Sequence, residues 1–313
     1  MTVTDRPTWE MLPLAVRDAV EDRLSTMIEV QCIAGRRPGF TARVYGARQD
    51  AFVKAVSLEN ADHVLEPFLR ERQVAAFLPE PAAPAPCLLQ VRKVDGWLLM
   101  FWELINDSAC YVNLRPGDLD VPVVVDAVGW LSRQPCRAGW ENTVRSVQQY
   151  VHALRAAVDP LLERPPVTLA DPHRYRRAVD LLKMDRLAAS VPTLLHGDLC
   201  RKNMLSKNSL VYLVDWSKAL VGPGWLDLAG GLGPLLVSEG HEPEEADKYL
   251  HAASPQVWAA AHPEDVAAVA ALTSLRHWRR ATAPYPADRM YRQDAKILAQ
   301  AGQDWLDYRL EAL

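Results

Sequence analysis

Leu194-Leu195-His196-Gly197-Asp198-Leu199-Cys200-Arg201-Lys202-Asn203-Met204-Leu205, followed by Leu213-Val214-Asp215-Trp216, is the stretch from which the rest of the chain can be read. Apolar runs enclose a polar loop, the pattern of a buried hairpin that presents side chains at a cleft. Asp198 and Asn203 stand five residues apart, and Asp215 stands twelve beyond Asn203. That layout suits phosphoryl transfer, which asks a protein mainly for positioning and charge neutralisation. Asp198 is placed to accept the proton of an attacking hydroxyl. Asn203 and Asp215 supply hard oxygen ligands of the kind a phosphate-bridging Mg2+ takes.

Composition bounds the alternatives. With 313 residues the chain can form one large domain or two lobes. At 49% hydrophobic and 24% charged residues it reads as an ordinary soluble globular protein. A net charge of −4 gives no general reason to expect nucleic acid as a partner. Cys32, Cys87, Cys110, Cys136 and Cys200 form no CxxC pair and read as free thiols of a reducing cytosol. No signal-peptide pattern and no membrane-length apolar run is present, so a cytoplasmic location without a membrane partner is expected.

Upstream of the opening stretch the chain is strand-rich. After a helical pattern over residues 12–24, Ala34-Gly35-Arg36-Arg37-Pro38-Gly39-Phe40-Thr41-Ala42-Arg43-Val44-Tyr45 reads as a Gly-bearing turn between two strands. Such a turn lets backbone N–H groups approach a phosphate, although alone it reads first as a plain hairpin loop. Ala51-Phe52-Val53-Lys54-Ala55-Val56 is an apolar strand in which Lys54 faces away from Val53 and Ala55. A lysine there is commonly an edge or surface residue; behind a Gly-bearing turn it also suits phosphate contact. Two acids on the next helix could pair with it. Glu66 precedes Pro67, which disfavours helical geometry, so Glu71 is the better candidate. Asp95-Gly96 between apolar runs predicts a tight hairpin. The character changes near residue 104. Helices are expected over 121–131, 142–162 (stopped by Pro160 and by Pro165-Pro166), 174–188, 244–252, 264–282 and 288–311.

His196-Gly197-Asp198-Leu199 with Asn203, then Val214-Asp215-Trp216, resembles the aminoglycoside phosphotransferase and choline kinase superfamily, which shares the protein-kinase-like fold. Gly39 to Tyr45 resembles that family's nucleotide loop, Phe52-Val53-Lys54 its lysine strand and Arg70-Glu71 its partner helix. Gly222-Pro223 through Leu226-Asp227-Leu228-Ala229 resembles the segment that buttresses the catalytic loop. The resemblance implies an α+β, two-lobe fold. Residues 1–104 would be a small antiparallel-sheet lobe with one key helix, and residues 105–313 a larger, mainly helical lobe. It also implies a Mg2+-dependent kinase using ATP or GTP. Asp198 would be the base, and Asn203 and Asp215 the metal ligands. Lys54, oriented by Glu71, would meet the nucleotide phosphates beside Thr41. Glu103 and Leu104 would offer backbone groups to the base. His196 and Asp227 would be structural.

What this does not decide is the acceptor. A small-molecule hydroxyl is expected, foremost that of an antibiotic of aminoglycoside, peptide or nucleoside type, in a monomeric or homodimeric enzyme. A metabolic kinase of a sugar, choline-like or homoserine-like alcohol is the alternative, and a non-catalytic nucleotide-binding module a further one. A protein kinase is disfavoured, because His-Gly-Asp replaces His-Arg-Asp and Asp-Trp replaces Asp-Phe-Gly. Cys200-Arg201-Lys202 places two cations beside the expected γ-phosphate position, either assisting transfer or merely solvated. Glu239, Glu242, Glu244, Glu245 and Asp247 form an acidic run that could attract a polycation or be a solvated helix start. Arg276, His277, Arg279 and Arg280 surround Trp278, with Tyr285, Tyr291 and Trp305 further on. This suits a flat, polar or anionic acceptor, or equally an amphipathic helix with Trp in the core.

Overall fold

The computed structural model describes residues 6–25, 27–33, 38–78, 83–105, 110–136, 140, 144–166, 169, 171–282 and 289–313. Gly35-Arg36-Arg37 of the expected turn and Tyr285 fall outside them, as does the side chain of Tyr291. The chain divides into two compact units, Met1–Cys110 with Tyr212–Lys218, and Tyr111–Val211 with Ala219–Leu313.

The first unit is built on an antiparallel sheet. Its strands are β1 (Met27–Cys32), β2 (Phe40–Gly46), β3 (Ala51–Ser57), β4 (Leu88–Val94) and β5 (Trp97–Glu103), in the order β1-β2-β3-β5-β4. Two helices accompany it, α1 (Leu14–Leu24) and α2 (Asp62–Ala75). Strand alternation sorts the side chains onto two faces. Phe40, Val53, Ala55, Leu99 and Phe101 pack with Val16 and Val20 of α1, whereas Val56, Leu98, Met100 and Trp102 pack with Phe68 of α2. Asp95 and Gly96, both at positive φ, make the expected turn between β4 and β5.

Phe40 to Tyr45, expected as part of a turn, instead lie in β2; of the described residues just before them, Pro38 and Gly39 bend. Phe40, Ala42 and Val44 are fully buried, and that alternating burial draws the segment into the sheet. Pro67 does not stop α2, which continues to Ala75. Phe68, Glu71 and Val74 on its buried face hold the helix together through that lost hydrogen bond.

In chain order the elements continue with β6 (Cys110–Tyr111), α3 (Asp120–Ser132), β7 (Arg145–Ser146), α4 (Val147–Glu163), α5 (Pro172–Asp180), α6 (Met184–Ala189) and β8 (Pro192–Leu195). Then come β9 (Met204–Lys207), β10 (Leu210–Leu213), β11 (Leu220–Pro223), α7 (Trp225–Asp227), a π-turn over Leu228–Leu232, and α8 (Gly233–Ser238). Helices α9 (Pro243–Ala253), α10 (Pro255–Ala259), α11 (Pro263–Thr282) and α12 (Arg289–Glu311) complete the chain. In the second unit β8 pairs antiparallel with β11, which pairs parallel with β7.

Two expected helices differ in their bounds. Helix α4 begins after Ser146, whose hydroxyl accepts from Gln149 N–H while the Gln149 side chain accepts from Ser146 N–H. It also runs three residues past Pro160, which is close enough to its end to be tolerated. The expected helix over 174–188 is two helices. The N–H of Lys183 donates to Asp265 Oδ1 (3.0 Å) and Arg186 pairs with Asp265 (2.7 Å), and these longer-range bonds replace the helical ones at the break. Among the described residues no helix is long and apolar enough to cross a membrane.

Helix α3 carries Gly129 against α9, where a Cβ would lie 2.5 Å from the carbonyl oxygen of Ala253. Helix propensity favours alanine over glycine by about 1 kcal/mol, but forcing atoms into a closed contact costs about 1–3 kcal/mol. Gly129→Ala should therefore lower the thermal midpoint. A raised midpoint in calorimetry would show that α3 and α9 are not packed this closely.

Candidate active site

The sheet unit places Lys54 on β3, a central strand rather than an edge, opposite Thr41 on β2 and Met100 on β5. The three share one face, the face covered by α2. Lys54 Nζ donates to both carboxylate oxygens of Glu71, at 2.6 and 2.7 Å. The side chains are 14% and 5% exposed, so the pair is largely withdrawn from water. Glu66, one and a half turns earlier on α2, is 63% exposed and pairs with Arg70 instead. Thus Glu71 is the partner of Lys54, although helix breakage at Pro67 is not the reason.

Arg70 is a residue that the sequence pattern did not single out. Its guanidinium donates to the carbonyl of Ser217 (2.9 Å), so the helix that orients Lys54 also holds the turn after Asp215. Asp215 has φ +62°, a left-handed conformation that costs a non-glycine residue on the order of 1 kcal/mol or more. Trp216 pins it: the ring is buried and its Nε1 donates to the Leu213 carbonyl (2.9 Å). Glu103 ends β5 with its N–H donating to the Cys87 carbonyl (2.8 Å) and its Oε2 accepting from Cys87 N–H (3.2 Å). Leu104 follows, half-buried.

The helical unit presents the loop after β8. His196 is fully buried, and Gly197 turns the chain at φ +71°, where a side chain would be strained. The carboxylate of Asp227 brackets that turn, accepting N–H bonds from His196 (2.5 Å) and Gly197 (3.1 Å). Burial pushes the Asp227 carboxyl up; His196 and the two N–H bonds pull it down. Asp198 follows, half-exposed. The Asn203 amide donates to the Asp198 carbonyl (2.9 Å) and lies 3.5 Å from its Oδ2, so its NH2 is the end that faces Asp198. Arg201 is tied to the Val112 carbonyl (3.3 Å) and Glu239 (3.6 Å), and Lys202 to Asp294 (3.3 Å).

The remaining charge clusters also resolve. His277 and Trp278 of α11 are buried, and so is Trp305 of α12, whose Nε1 donates to the Ala229 carbonyl. In the acidic run Glu244 pairs with Lys248, Glu245 with His241, and Asp247 with Arg309. Among the described residues no group of three or more His, Cys, Asp and Glu side chains could hold a metal alone.

A strand lysine clasped by a helix carboxylate, and a braced His-Gly-Asp loop followed by Asn and a strained Asp, define a protein-kinase-like phosphotransferase of α+β fold. A family model described as the phosphotransferase enzyme family matches residues 35–263, and the chain belongs to that family. It is an enzyme that transfers phosphate to hydroxyl groups. A spectinomycin phosphotransferase, APH(9)-Ia, solved with ADP and spectinomycin, is 12% identical, with a TM-score of 0.59 over 92% of this chain and 98% of that one. A thermostable mutant of aminoglycoside phosphotransferase APH(4)-Ia in ternary complex with ADP and hygromycin B is 15% identical, with a TM-score of 0.56 over 95% and 98%. Macrolide 2′-phosphotransferase MphH from Brachybacterium faecium is 15% identical, with a TM-score of 0.57 over 90% and 97%. At such identities the likeness is one of fold. No curated protein matches the chain in sequence.

Asp227→Asn should destabilise the protein by about 1–3 kcal/mol, because the two N–H bonds go to separate oxygens and the amide puts an NH2 donor against one of those N–H groups. The pH dependence has a definite sign. The folded protein holds the Asp227 proton more tightly than the unfolded chain, so this carboxyl's contribution declines as pH rises from its ordinary 3.8 through the raised value. Denaturant melts across acidic pH should therefore show the advantage of wild type over Asp227→Asn shrinking as pH rises. A widening advantage would contradict the assignment.

Proposed function

We propose that the enzyme transfers the γ-phosphate of ATP or GTP to a hydroxyl of a small-molecule acceptor of antibiotic type, in the cytoplasm. The observation that carries the reading is Lys54 held between both oxygens of Glu71. A lysine so fixed is a localised cation for nucleotide phosphates, which a non-catalytic module has no need to preserve. Thr41 shares its sheet face, and the carbonyl of Glu103 with the backbone of Leu104 would meet the base. The likeness to structures containing ADP with hygromycin B or spectinomycin supports a nucleotide donor and an antibiotic acceptor.

Each side chain then has a task. Asp198 accepts the proton of the acceptor hydroxyl as its oxygen bonds to the γ-phosphorus and the bond to the β–γ bridging oxygen breaks. Asp227 and Gly197 keep the loop that carries Asp198 in one conformation. The Asn203 Oδ1 and the Asp215 carboxylate would hold Mg2+, which takes hard oxygen ligands and completes its shell from phosphates and water. When bound, Mg2+ supplies neutralisation of phosphate charge. Arg201 and Lys202 already have partners within the helical unit, and those pairs fit loop supports better than phosphate contacts.

Asp198→Ala and Asp198→Asn should each lower kcat by about 10²–10⁴-fold, the share typical of a positioned base. Mg2+-dependent stabilisation by ATP should survive, at about 2.7 kcal/mol when ATP stands at a hundred times its Kd. Near-normal turnover in both variants, with antibiotics and small alcohols as acceptors, would remove Asp198 from this role.

A further inference from the structure

Directly after Asp227 the backbone of the helical unit leaves α-helical register. Leu228–Leu232 form a π-turn, and the Gly233 N–H reaches back five residues to the Leu228 carbonyl rather than four to Ala229. The next donor in that register would come from Pro234, which has no N–H to offer the Ala229 carbonyl. Ala229 is fully buried, and a buried carbonyl must find a donor. It finds one 76 residues on, where the Trp305 Nε1 of α12 donates to it at 3.0 Å. π-turns inside helices recur at functional sites, so what this one touches is informative.

The indole is held in place from several directions. Trp305 is fully buried. Gly233 makes room for it, since a Cβ there would lie 2.9 Å from Cε2 and Cζ2. Tyr308 stacks on the ring with centroids 5.8 Å apart. The Arg309 guanidinium lies 5.6 Å from the ring centroid while its Nη1 bonds Asp247 at 2.8 Å. Apolar packing at this position could be met by a phenyl ring. The N–H is what meets the carbonyl that the π-turn and Pro234 leave without a helical donor.

Residues on either side of Ala229 reach the Asp198 loop. Asp227, two before it, accepts the N–H bonds of His196 and Gly197. Gly231, two after it, lies along the Leu199 side chain: a Cβ there would stand 3.1 Å from Leu199 Cδ1 and 3.2 Å from its Cβ. Asp198 sits between these two contacts in sequence. A displaced π-turn would carry both with it.

We propose that Trp305 is a positioning residue for phosphate transfer: its hydrogen bond to Ala229 fixes the π-turn, and the π-turn holds the loop on either side of Asp198. The proposal rests on the reading of Asp198 as base and adds a residue of α12 to that apparatus. Trp305 acts through Asp227 and Leu199, not on the reacting atoms.

The test uses full-length enzyme with Mg2+ and ATP, reading ADP release with hygromycin B, a panel of small alcohols, or water alone as acceptor. Trp305→Phe keeps an aromatic ring and removes the N–H. Its kcat should fall about tenfold or more while KM for ATP stays within about twofold, because one hydrogen bond separates the two enzymes. In hydrogen exchange, amides of residues 196–199 and of the π-turn should exchange about tenfold faster, with those of α4 unchanged. Gly231→Ala approaches the loop from the other side. Alanine is the better helix former, so the thermal midpoint should hold, yet its Cβ meets Leu199 and kcat should fall. Pairing Gly231→Ala with Leu199→Ala should return part of that rate. If Trp305→Phe does not fold, a tryptophan isostere with sulfur in place of the indole N–H, placed at position 305 alone, asks the same question. Wild-type kcat in both the position-305 variant and Gly231→Ala overturns the proposal. So does exchange that quickens equally throughout the helical unit, the mark of a general loss of packing. Exchange needs no acceptor, so a loop that stays protected without the indole N–H overturns the proposal whatever the ADP assay shows. ADP release untouched by Asp198→Ala instead defeats the reading of Asp198 as base, and leaves the dependence of the loop on Trp305 to the exchange result.

Discussion

The bond between Lys54 and Glu71 is the constraint on which the sheet unit turns. An ammonium buried amid Val56, Leu98 and Met100 is costly unless an opposite charge meets it with good geometry, and both oxygens of Glu71 do. The pair fixes where α2 lies on the sheet. Once α2 is fixed, Arg70 one residue earlier reaches the Ser217 carbonyl, and the strained Asp215 is held in the same unit. One helix therefore sets the position of both Lys54 and the turn that carries Asp215. Removing either partner leaves a largely buried charge alone.

A parallel economy governs the loop that carries Asp198. Backbone amides at a sharp turn must find acceptors, and in the helical unit one buried carboxylate, Asp227, serves His196 and Gly197 together. The next residue is Asp198, whose carbonyl receives the Asn203 amide. The turn is braced from behind by Asp227 and from within by Asn203, so the Asp198 carboxylate, the base under the proposed function, is pre-positioned at little further entropic cost. Under the proposed function both the proton acceptor, Asp198, and an amide ligand, Asn203, come from this one braced segment.

Much of this was legible from residue order. A period of two put Lys54 on the face opposite Val53, and Asp95-Gly96 named its own hairpin. Glu71 was legible from its place on the buried face of α2; the role assigned to Pro67 was not, because packing of Phe68 and Val74 outweighs one lost hydrogen bond. The division of α5 from α6 was hidden because its cause, Asp265, lies 82 residues from Lys183. Arg276 stood out in the sequence as part of a basic cluster but could not be told from a solvated arginine. Its neighbour Tyr150 is 126 residues away. In the acidic run after Glu239, Glu244 and Glu245 find local partners four residues away, whereas Asp247 meets Arg309, 62 residues on. Local pattern reveals what a segment faces, not what comes to face it.

Under the proposed function Lys54 and Glu71 act as one unit in using ATP. A double-mutant cycle on kcat/KM for ATP, with Lys54→Met, Glu71→Gln and the two combined, tests it most directly. If the pair acts as a unit, each single change costs about a hundredfold or more, and the combination costs little beyond Lys54→Met alone. Strictly additive losses, or a Glu71→Gln enzyme as active as wild type, would contradict the account.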